Sequence, residues 1–170
     1  MFRPTLIKKG NADIEEYYTE DEALKNSEDE YYTPGKDPVV TPCKWYGKGL
    51  ALLGLKGVIK QKVFKKLFYG YHPDTGKRLR EVPTVGQERL GIDLTFSPGK
   101  EASILALVGG DRRIIDLHEQ ALQHVFDILQ IRYAQTRVRQ GKGERLTVNT
   151  DCLIGAFINH ATARPVLVDG

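Results

Sequence analysis

The stretch IDLTFS, at residues 92–97, alternates apolar and polar side chains. Because successive side chains of a β-strand point to opposite faces, this period predicts a half-buried strand. Its apolar face would carry Ile92, Leu94 and Phe96, and its polar face Asp93. Proline and glycine follow at 98–99 and predict the start of a helix over about 101–108, which residues 109–110 (Gly-Gly) would end.

Upstream of this strand the chain begins with a short apolar pair, Leu6–Ile7, which predicts another strand. A short helix bearing Tyr17 and Tyr18 is expected next, with Asn11 or Asp13 as its N-cap. Acidic residues then dominate, and residues 33–49 are rich in proline and glycine, which predicts a loop. We therefore interpret residues 20–49 as a mostly loop-like insert in a single domain spanning 1–170.

The remaining elements are predicted from apolar spacing. Ile59, Val63 and Leu67 recur every four residues and predict a helix. Asp111 is positioned to cap a long amphipathic helix with a basic far end over 132–145, and a last strand is expected over about 147–160. The core face of the long helix would carry Ile115, Leu122, Val125 and Leu129. Cys152, Ile154, Ala156, Ile158 and His160 would share one face of the last strand.

Composition indicates an ordinary soluble domain. Of the 170 residues, 41% are apolar and 28% charged, and no stretch is apolar enough for a transmembrane helix. The two cysteines, Cys43 and Cys152, are too few for a disulfide framework, so we expect a cytoplasmic protein with reduced thiols. Residues 1–30 carry nine acidic and four basic side chains, whereas residues 31–170 carry thirteen and twenty-one. A basic body of this kind is compatible with binding a polyanion.

Two tyrosine pairs, Tyr17-Tyr18 and Tyr31-Tyr32, lie among acidic residues near the start of the chain. A phenol becomes a useful nucleophile when another group takes its proton, and a phosphotyrosine can conserve the energy of a cleaved phosphodiester. Taken alone, however, the pairs are explained more simply as half-buried packing rings.

Three further positions could take part in chemistry. Asp93, on the polar side of its strand, could accept a proton or orient a histidine, although a solvated sheet face explains it as well. Lys100, at the predicted helix start, could hold a phosphate. His160 could ligate a metal, but one histidine is not a metal site, and His118 and His124 fall on different faces of their helix.

Taken in order, several motifs resemble the N-terminal relaxase domain of the MobF-type (TrwC/TraI-type) conjugative relaxases. They are EYYTED at 16–21, YY at 31–32, KWYGKG at 44–49, RLGIDLTFSPGK at 89–100, LALVGGD at 105–111 and AFINHATAR at 156–164. The resemblance implies an α+β fold, namely part of an HUH-endonuclease palm with an antiparallel sheet and packed helices. It also implies nicking of one DNA strand at a transfer origin.

Site roles follow from the same resemblance. Tyr17, the first of the leading pair with Tyr18, would attack the scissile phosphate and leave a 5′-phosphotyrosine, and Tyr31 or Tyr32 would serve a later strand transfer. Asp93 would orient a histidine or help to deprotonate the tyrosine. A divalent ion, Mg²⁺ or Mn²⁺, would be held by three histidines, of which His160 matches the first. The DNA single strand or hairpin would be bound by basic residues, for which we select Lys48, Arg89, Lys100, Arg137 and Arg139.

The chain departs from the family pattern after His160, because residues 161–170 contain no His-x-His motif. One imidazole cannot hold a catalytic cation against water. We therefore expect a truncated relaxase domain that is inactive alone unless a complementary relaxase fragment completes it. The alternatives are a non-catalytic module that binds single-stranded DNA and an inert gene remnant.

Overall fold

The computed structural model describes residues 2–10, 12–20, 43–80, 88–141 and 143–160. Within this part the fold mixes helices with three two-stranded antiparallel sheets, as the sequence predicts for an α+β protein. The elements are β1 (Phe2–Lys8), α1 (Ala12–Thr19), β2 (Lys44–Tyr46), a 3₁₀ helix (Lys48–Leu53), α2 (Gln61–Phe68), β3 (Arg89–Phe96), α3 (Lys100–Leu107), α4 (Arg112–Tyr133), β4 (Gln135–Gln140), β5 (Glu144–Asn149) and β6 (Gly155–Phe157).

The first sheet pairs β1 with β3, and its register runs from Phe2 opposite Phe96 to Ile7 opposite Gly91. The predicted strand at 92–97 is confirmed, and Leu94 and Phe96 on its predicted apolar face are half-buried, but Ile92 on that face is not covered. Ile92 is 65% exposed, whereas Asp93 lies on the same face as Ile7, which is buried. The reason is that α1 and α2 pack against the face that carries Asp93, through a cluster of Ile7, Leu90 and Phe68 with Tyr18 beside it.

An ion-pair cluster joins the end of β1 to the residue before β3. Glu88 is almost completely buried and accepts from Lys9 at 3.1 Å and from Arg80 at 3.4 Å. The hydrogen bond from Lys9 holds the pKa of Glu88 below its ordinary value, with the nearby cations acting in the same direction. The same two chain segments share a backbone bond from Lys9 to Glu88, so the register of the sheet is fixed at this end.

The second sheet pairs β2 with β6 and forms part of a separate apolar cluster of Cys43, Trp45, Leu55 and Ile59. The loop expected over 33–49 is therefore wrong at its end, because Trp45 is buried in a strand. Ile59 is fully buried and lies just before α2, which begins at Gln61. Burying such a side chain contributes about 2 kcal/mol.

Helix α3 lies close to its predicted bounds and α4 begins where it is expected to, and the glycine pair between them explains the break. A Cβ at Gly109 would lie 2.7 Å from the Leu105 carbonyl oxygen, and Gly110 has a φ of 70°. Asp111 caps α4 by accepting from the Arg113 backbone N–H at 3.1 Å, as expected. The predicted core face is wrong at Val125, which is 37% exposed, because Phe126 is the buried side chain at that turn.

The C-terminal part of the described chain differs most from the sequence prediction. The basic region over 132–145 is not the end of a helix, since α4 ends at Tyr133 and a hairpin of β4 and β5 follows. The single strand expected over 147–160 is interrupted at Asp151, which has a φ of 48°, and Thr150 bonds back to Ala134. Consequently, residues 152–160 do not share one strand face.

No helix among the described residues is long and apolar enough to cross a bilayer.

Candidate active site

Tyr18, on α1, and Asp93, on β3, meet in a direct hydrogen bond. The Tyr18 hydroxyl donates to Asp93 Oδ2 at 2.8 Å, and Thr95 Oγ1 donates to the same oxygen at 3.3 Å. Burial raises the pKa of Tyr18 well above its ordinary value, and the bond to Asp93 acts in the same direction. This phenol therefore stays protonated and holds the carboxylate in place.

Tyr17, the neighbouring phenol, has a different environment. Its ring packs edge-on against Tyr18, with the two centroids 5.0 Å apart, while 39% of the residue remains exposed. Tyr17 is thus partly exposed to solvent, beside a phenol that is hydrogen-bonded to Asp93. Tyr31 and Tyr32, the second predicted pair, lie outside the described residues.

Tyr18 and Asp93 both line a large open cleft. Its volume is about 1270 Å³, and we call it the central cleft. Its polar lining includes Tyr18, Asp93 and Asn159 together with His160, which is exposed. Tyr17 is not among the residues that line the central cleft, and the catalytic roles expected of Tyr18, Asp93 and His160 stay predictions.

Sequence reasoning did not identify Arg3, which also lines the central cleft. The sheet register places it opposite Thr95, on the face that carries Asp93, and its charge acts to lower the pKa of Tyr18. Only the pairing of β1 with β3 reveals the position of Arg3. Successive side chains of β1 alternate between the two faces of the sheet, so Arg3 lies on the same face as Ile7. An isolated arginine near the N-terminus gave no hint of it before that pairing was known.

The described residues do not fit a three-ligand cation centre, since they contain no group of three histidine, cysteine, aspartate or glutamate side chains suited to one. Of the four histidines in the sequence, only His118 and His160 line the central cleft. Burial lowers the pKa of His118. The His72 ring accepts backbone bonds from its own turn, as expected of a turn residue.

The predicted DNA-binding residues fall into separate places. The β4–β5 register puts Arg137 opposite Thr147 and Arg139 opposite Arg145, so three guanidinium groups share one face of an exposed hairpin. Lys48, Arg89 and Lys100 are exposed on other elements, and none of the three lines the central cleft. The hairpin is therefore the densest basic surface among the selected residues.

Comparison with known proteins gives concordant matches. The family model described as TrwC relaxase matches residues 11–169. The multifunctional conjugation protein TraI of Escherichia coli (strain K12) is 38% identical over 149 residues, which is 87% of this chain and 8% of TraI.

Two solved structures extend the comparison to the fold. The conjugative relaxase TrwC in complex with oriT DNA, in its metal-free structure, aligns with a TM-score of 0.76 at 28% identity, covering 96% of this chain and 51% of that one. The metal-bound TrwC complex aligns with a TM-score of 0.70 at 28% identity, covering 91% and 48%. The chain thus spans about half the length of the solved relaxase chains.

Proposed function

The chain belongs to the TrwC relaxase family, and we propose that it provides the nucleophile-bearing part of a DNA-nicking site. The relaxase TrwC, a member of this family, has been solved in complex with oriT DNA. In the proposed reaction, a tyrosine oxygen attacks the scissile phosphorus of one strand. The new bond joins the phenolic oxygen to phosphorus, the bond from phosphorus to the 3′ oxygen breaks, and a proton passes to that oxygen. The products are a 5′-phosphotyrosine and a free 3′-hydroxyl.

One observation carries this proposal, namely that Tyr18 and Asp93, which are hydrogen-bonded to each other, line the same cleft as His160. We assign the attack to Tyr17, because its ring is partly exposed beside the anchored pair. Tyr18 is a positioning residue in this scheme, since its hydroxyl is engaged by Asp93 and its raised pKa disfavours the phenolate. Tyr31 or Tyr32 is proposed for the later strand-transfer step.

For the metal, we propose a single ligand from this chain. A relative in the same family is known in a metal-bound structure. In this chain His160 would supply one ligand to a divalent cation such as Mg²⁺ or Mn²⁺, and the described residues do not supply a set of three. We therefore propose that the chain on its own binds DNA without cleaving it.

DNA binding is assigned first to the arginine face of the β4–β5 hairpin. Arg137, Arg139 and Arg145 project from one face of a two-stranded ribbon whose residues are almost all exposed. A ribbon of this width fits the major groove of a duplex stem, and guanidinium groups pair with phosphates or base edges. Lys48, Arg89 and Lys100 are proposed as secondary contacts with the flanking single strand.

The test uses a single-stranded oligonucleotide spanning the nick region of the chain's own transfer origin. The chain alone should bind it with a salt-sensitive affinity and form no covalent adduct. When the half of a TrwC-type relaxase domain outside the matched region is added with Mn²⁺, an adduct should appear. Tyr17→Phe should abolish the adduct, Tyr18→Phe should reduce it, and Tyr133→Phe, at an exposed site on α4, is the matched control.

Three results would overturn parts of this scheme. An adduct formed by the chain alone would show that its catalytic site is complete. An adduct that persists in Tyr17→Phe would move the nucleophile elsewhere. Binding without any adduct, in a mixture where association of the two polypeptides has been demonstrated separately, would favour the non-catalytic DNA-binding module.

A further inference from the structure

Helix α1, which carries the leading tyrosine pair, has little of its own to fix its orientation. It spans only eight residues, and isolated helices of that length are marginal in water. Its first turn contains Asp13 and Glu15, but its last turn contains no basic side chain, so the negative end of the helix dipole has no counter-charge within α1. The orientation of α1 therefore depends on its neighbours.

Two side chains of α2 hold the carboxyl end of α1. The side-chain amide of Gln61 donates to the Thr19 carbonyl oxygen at 2.8 Å and to Glu20 Oε2 at 3.3 Å. Lys65, one turn further along α2, forms an ion pair with the other carboxylate oxygen, Glu20 Oε1. The last carbonyl groups of a helix have no partner within the helix, so Gln61 and Lys65 supply the donor and the cation that α1 lacks. We call these two residues the α2 clamp.

A second set of contacts lies nearer the start of α1. Tyr69 immediately follows α2, and burial together with its interaction with the Glu15 carboxylate raises the pKa of Tyr69. The Phe68 ring lies 6.2 Å from the Tyr18 ring, measured between centroids. The same short stretch, residues 61–69, thus contacts α1 in both its first and its last turn, which restricts rotation of α1 about its own axis.

Such a rotation matters because the two tyrosines are identical neighbours. Adjacent residues of an α-helix are separated by about 100° around its axis. In the observed orientation the Tyr18 hydroxyl donates to Asp93 at 2.8 Å, and Tyr17 is 39% exposed. Turning α1 by one residue would bring Tyr17 towards Asp93 and release Tyr18.

We propose that the α2 clamp, and Gln61 in particular, determines which of the two phenols is available as the nucleophile. Gln61 and Lys65 are positioning residues, because they act through α1, which they hold so that Asp93 engages Tyr18 and Tyr17 stays accessible. This inference rests on the proposed nicking function only where it calls Tyr17 the nucleophile. The selection itself is a property of the folded chain and is measured without DNA.

The experiment measures nitration of Tyr17 and Tyr18 by tetranitromethane at pH 8 in the full 170-residue chain, with the modified sites located by tandem mass spectrometry. The reagent attacks the phenolate, so a phenol that is bonded to a carboxylate reacts slowly. We expect Tyr17 to react at least about ten-fold faster than Tyr18 in the parent chain. Gln61→Met keeps the length of the side chain but has no N–H donor, and the ratio of the two rates should fall below about three-fold.

Further variants separate the clamp from a general loosening of the fold. Lys65→Met removes the ion pair at a partly exposed side chain and should lower the ratio in the same direction, even if Gln61→Met does not fold. Gln61→Lys retains a donor long enough to reach the same carbonyl oxygen and should keep the parent ratio. Lys62→Gln, at an exposed position of α2, and Gly155→Ala, which is strained at β6, should also keep it.

Three results would overturn the proposal. One is near equality of the two nitration rates in the parent chain. Another is a parent-like ratio in both Gln61→Met and Lys65→Met. The third is an equal fall of the ratio in Gly155→Ala, because general destabilisation would then explain the effect. A DNA adduct at Tyr17 together with an unchanged ratio would refute the clamp and leave the proposed function standing, whereas a lowered ratio with the adduct on another residue would do the reverse.

Discussion

Replacing Tyr18 by phenylalanine removes one hydroxyl and tests the contact on which the active-site assignment rests. The Tyr18 hydroxyl donates to a carboxylate oxygen of Asp93 at 2.8 Å in a partly buried setting. Hydrogen bonds to charged groups contribute about 1.5–3 kcal/mol, and partial exposure favours the lower end of that range. We therefore expect Tyr18→Phe to lower the free energy of unfolding by about 1.5 kcal/mol. For a chain of this length the melting temperature should fall by roughly 3–6 °C.

The assay is urea unfolding at pH 7, combined with a double-mutant cycle. Asp93→Ala and the double variant complete the cycle, and the coupling energy should be about 1 kcal/mol. Tyr133→Phe is the control, because Tyr133 is 68% exposed and its substitution should change stability by less than about 0.5 kcal/mol. A coupling energy near zero, or an equal loss in the control, would refute the contact.

The pH dependence of the same variant gives an independent check. The folded state raises the pKa of Tyr18, chiefly through burial, and so favours the protonated phenol. Its contribution to stability is fully present below the unfolded pKa of about 10 and is lost as the pH rises further. The stability difference between the parent chain and Tyr18→Phe should therefore be constant from pH 7 to pH 9 and shrink above pH 10. A difference that grows above pH 10 would contradict the assigned direction.

Three other predictions concern a buried ion pair, a close packing contact and DNA binding. A hydrogen bond from Lys9 lowers the pKa of Glu88, so Glu88→Gln should reduce the melting temperature at pH 7. The difference in melting temperature between the parent chain and the variant should vanish as the pH falls below about 4, because Glu88 is then protonated. A difference that is independent of pH would contradict this. Gly155→Ala should destabilise the chain by about 1–3 kcal/mol in urea unfolding, because the new Cβ would lie 2.8 Å from a buried aromatic ring, and an unchanged midpoint would contradict the packing. The double variant Arg137→Ala with Arg139→Ala should reduce the slope of log affinity against log salt by about 2 in DNA-binding titrations without changing the melting temperature; an unaltered slope would place the phosphate contacts elsewhere.

Local patterns predicted the elements that local chemistry determines. The alternation at 92–97 identified β3, and Asp111 with the preceding glycine pair identified the start of α4. Each of these signals is complete within a few residues, because a strand period, a cap or a positive φ needs only neighbouring side chains.

Long-range packing could not be predicted in the same way. The alternation indicated that β3 has two faces, but it could not show that Tyr18 of α1 would hold Asp93 on the polar face while Ile92 on the apolar face stays exposed. The interruption at Asp151 was missed because a single residue with positive φ leaves no mark in an apolar pattern. Arg3 became a site residue only through its pairing with β3.

The family resemblance supplied the roles that geometry alone would not have suggested. A tyrosine hydrogen-bonded to a carboxylate at 2.8 Å in an open cleft is what a packing role and a catalytic role would both produce. The match to TrwC relaxase over residues 11–169 establishes the family, and the roles of Tyr17 and Asp93 then become specific hypotheses.

Mapping the covalent DNA adduct shows directly which tyrosine is the nucleophile. The chain, the unmatched half of a TrwC-type relaxase, Mn²⁺ and a nick-region oligonucleotide are combined, and the protease-digested adduct is sequenced by mass spectrometry. We predict a nucleotide linked through phosphate to Tyr17 and to no other residue. A linkage at Tyr18, Tyr31 or Tyr32 in the nicking reaction would contradict it.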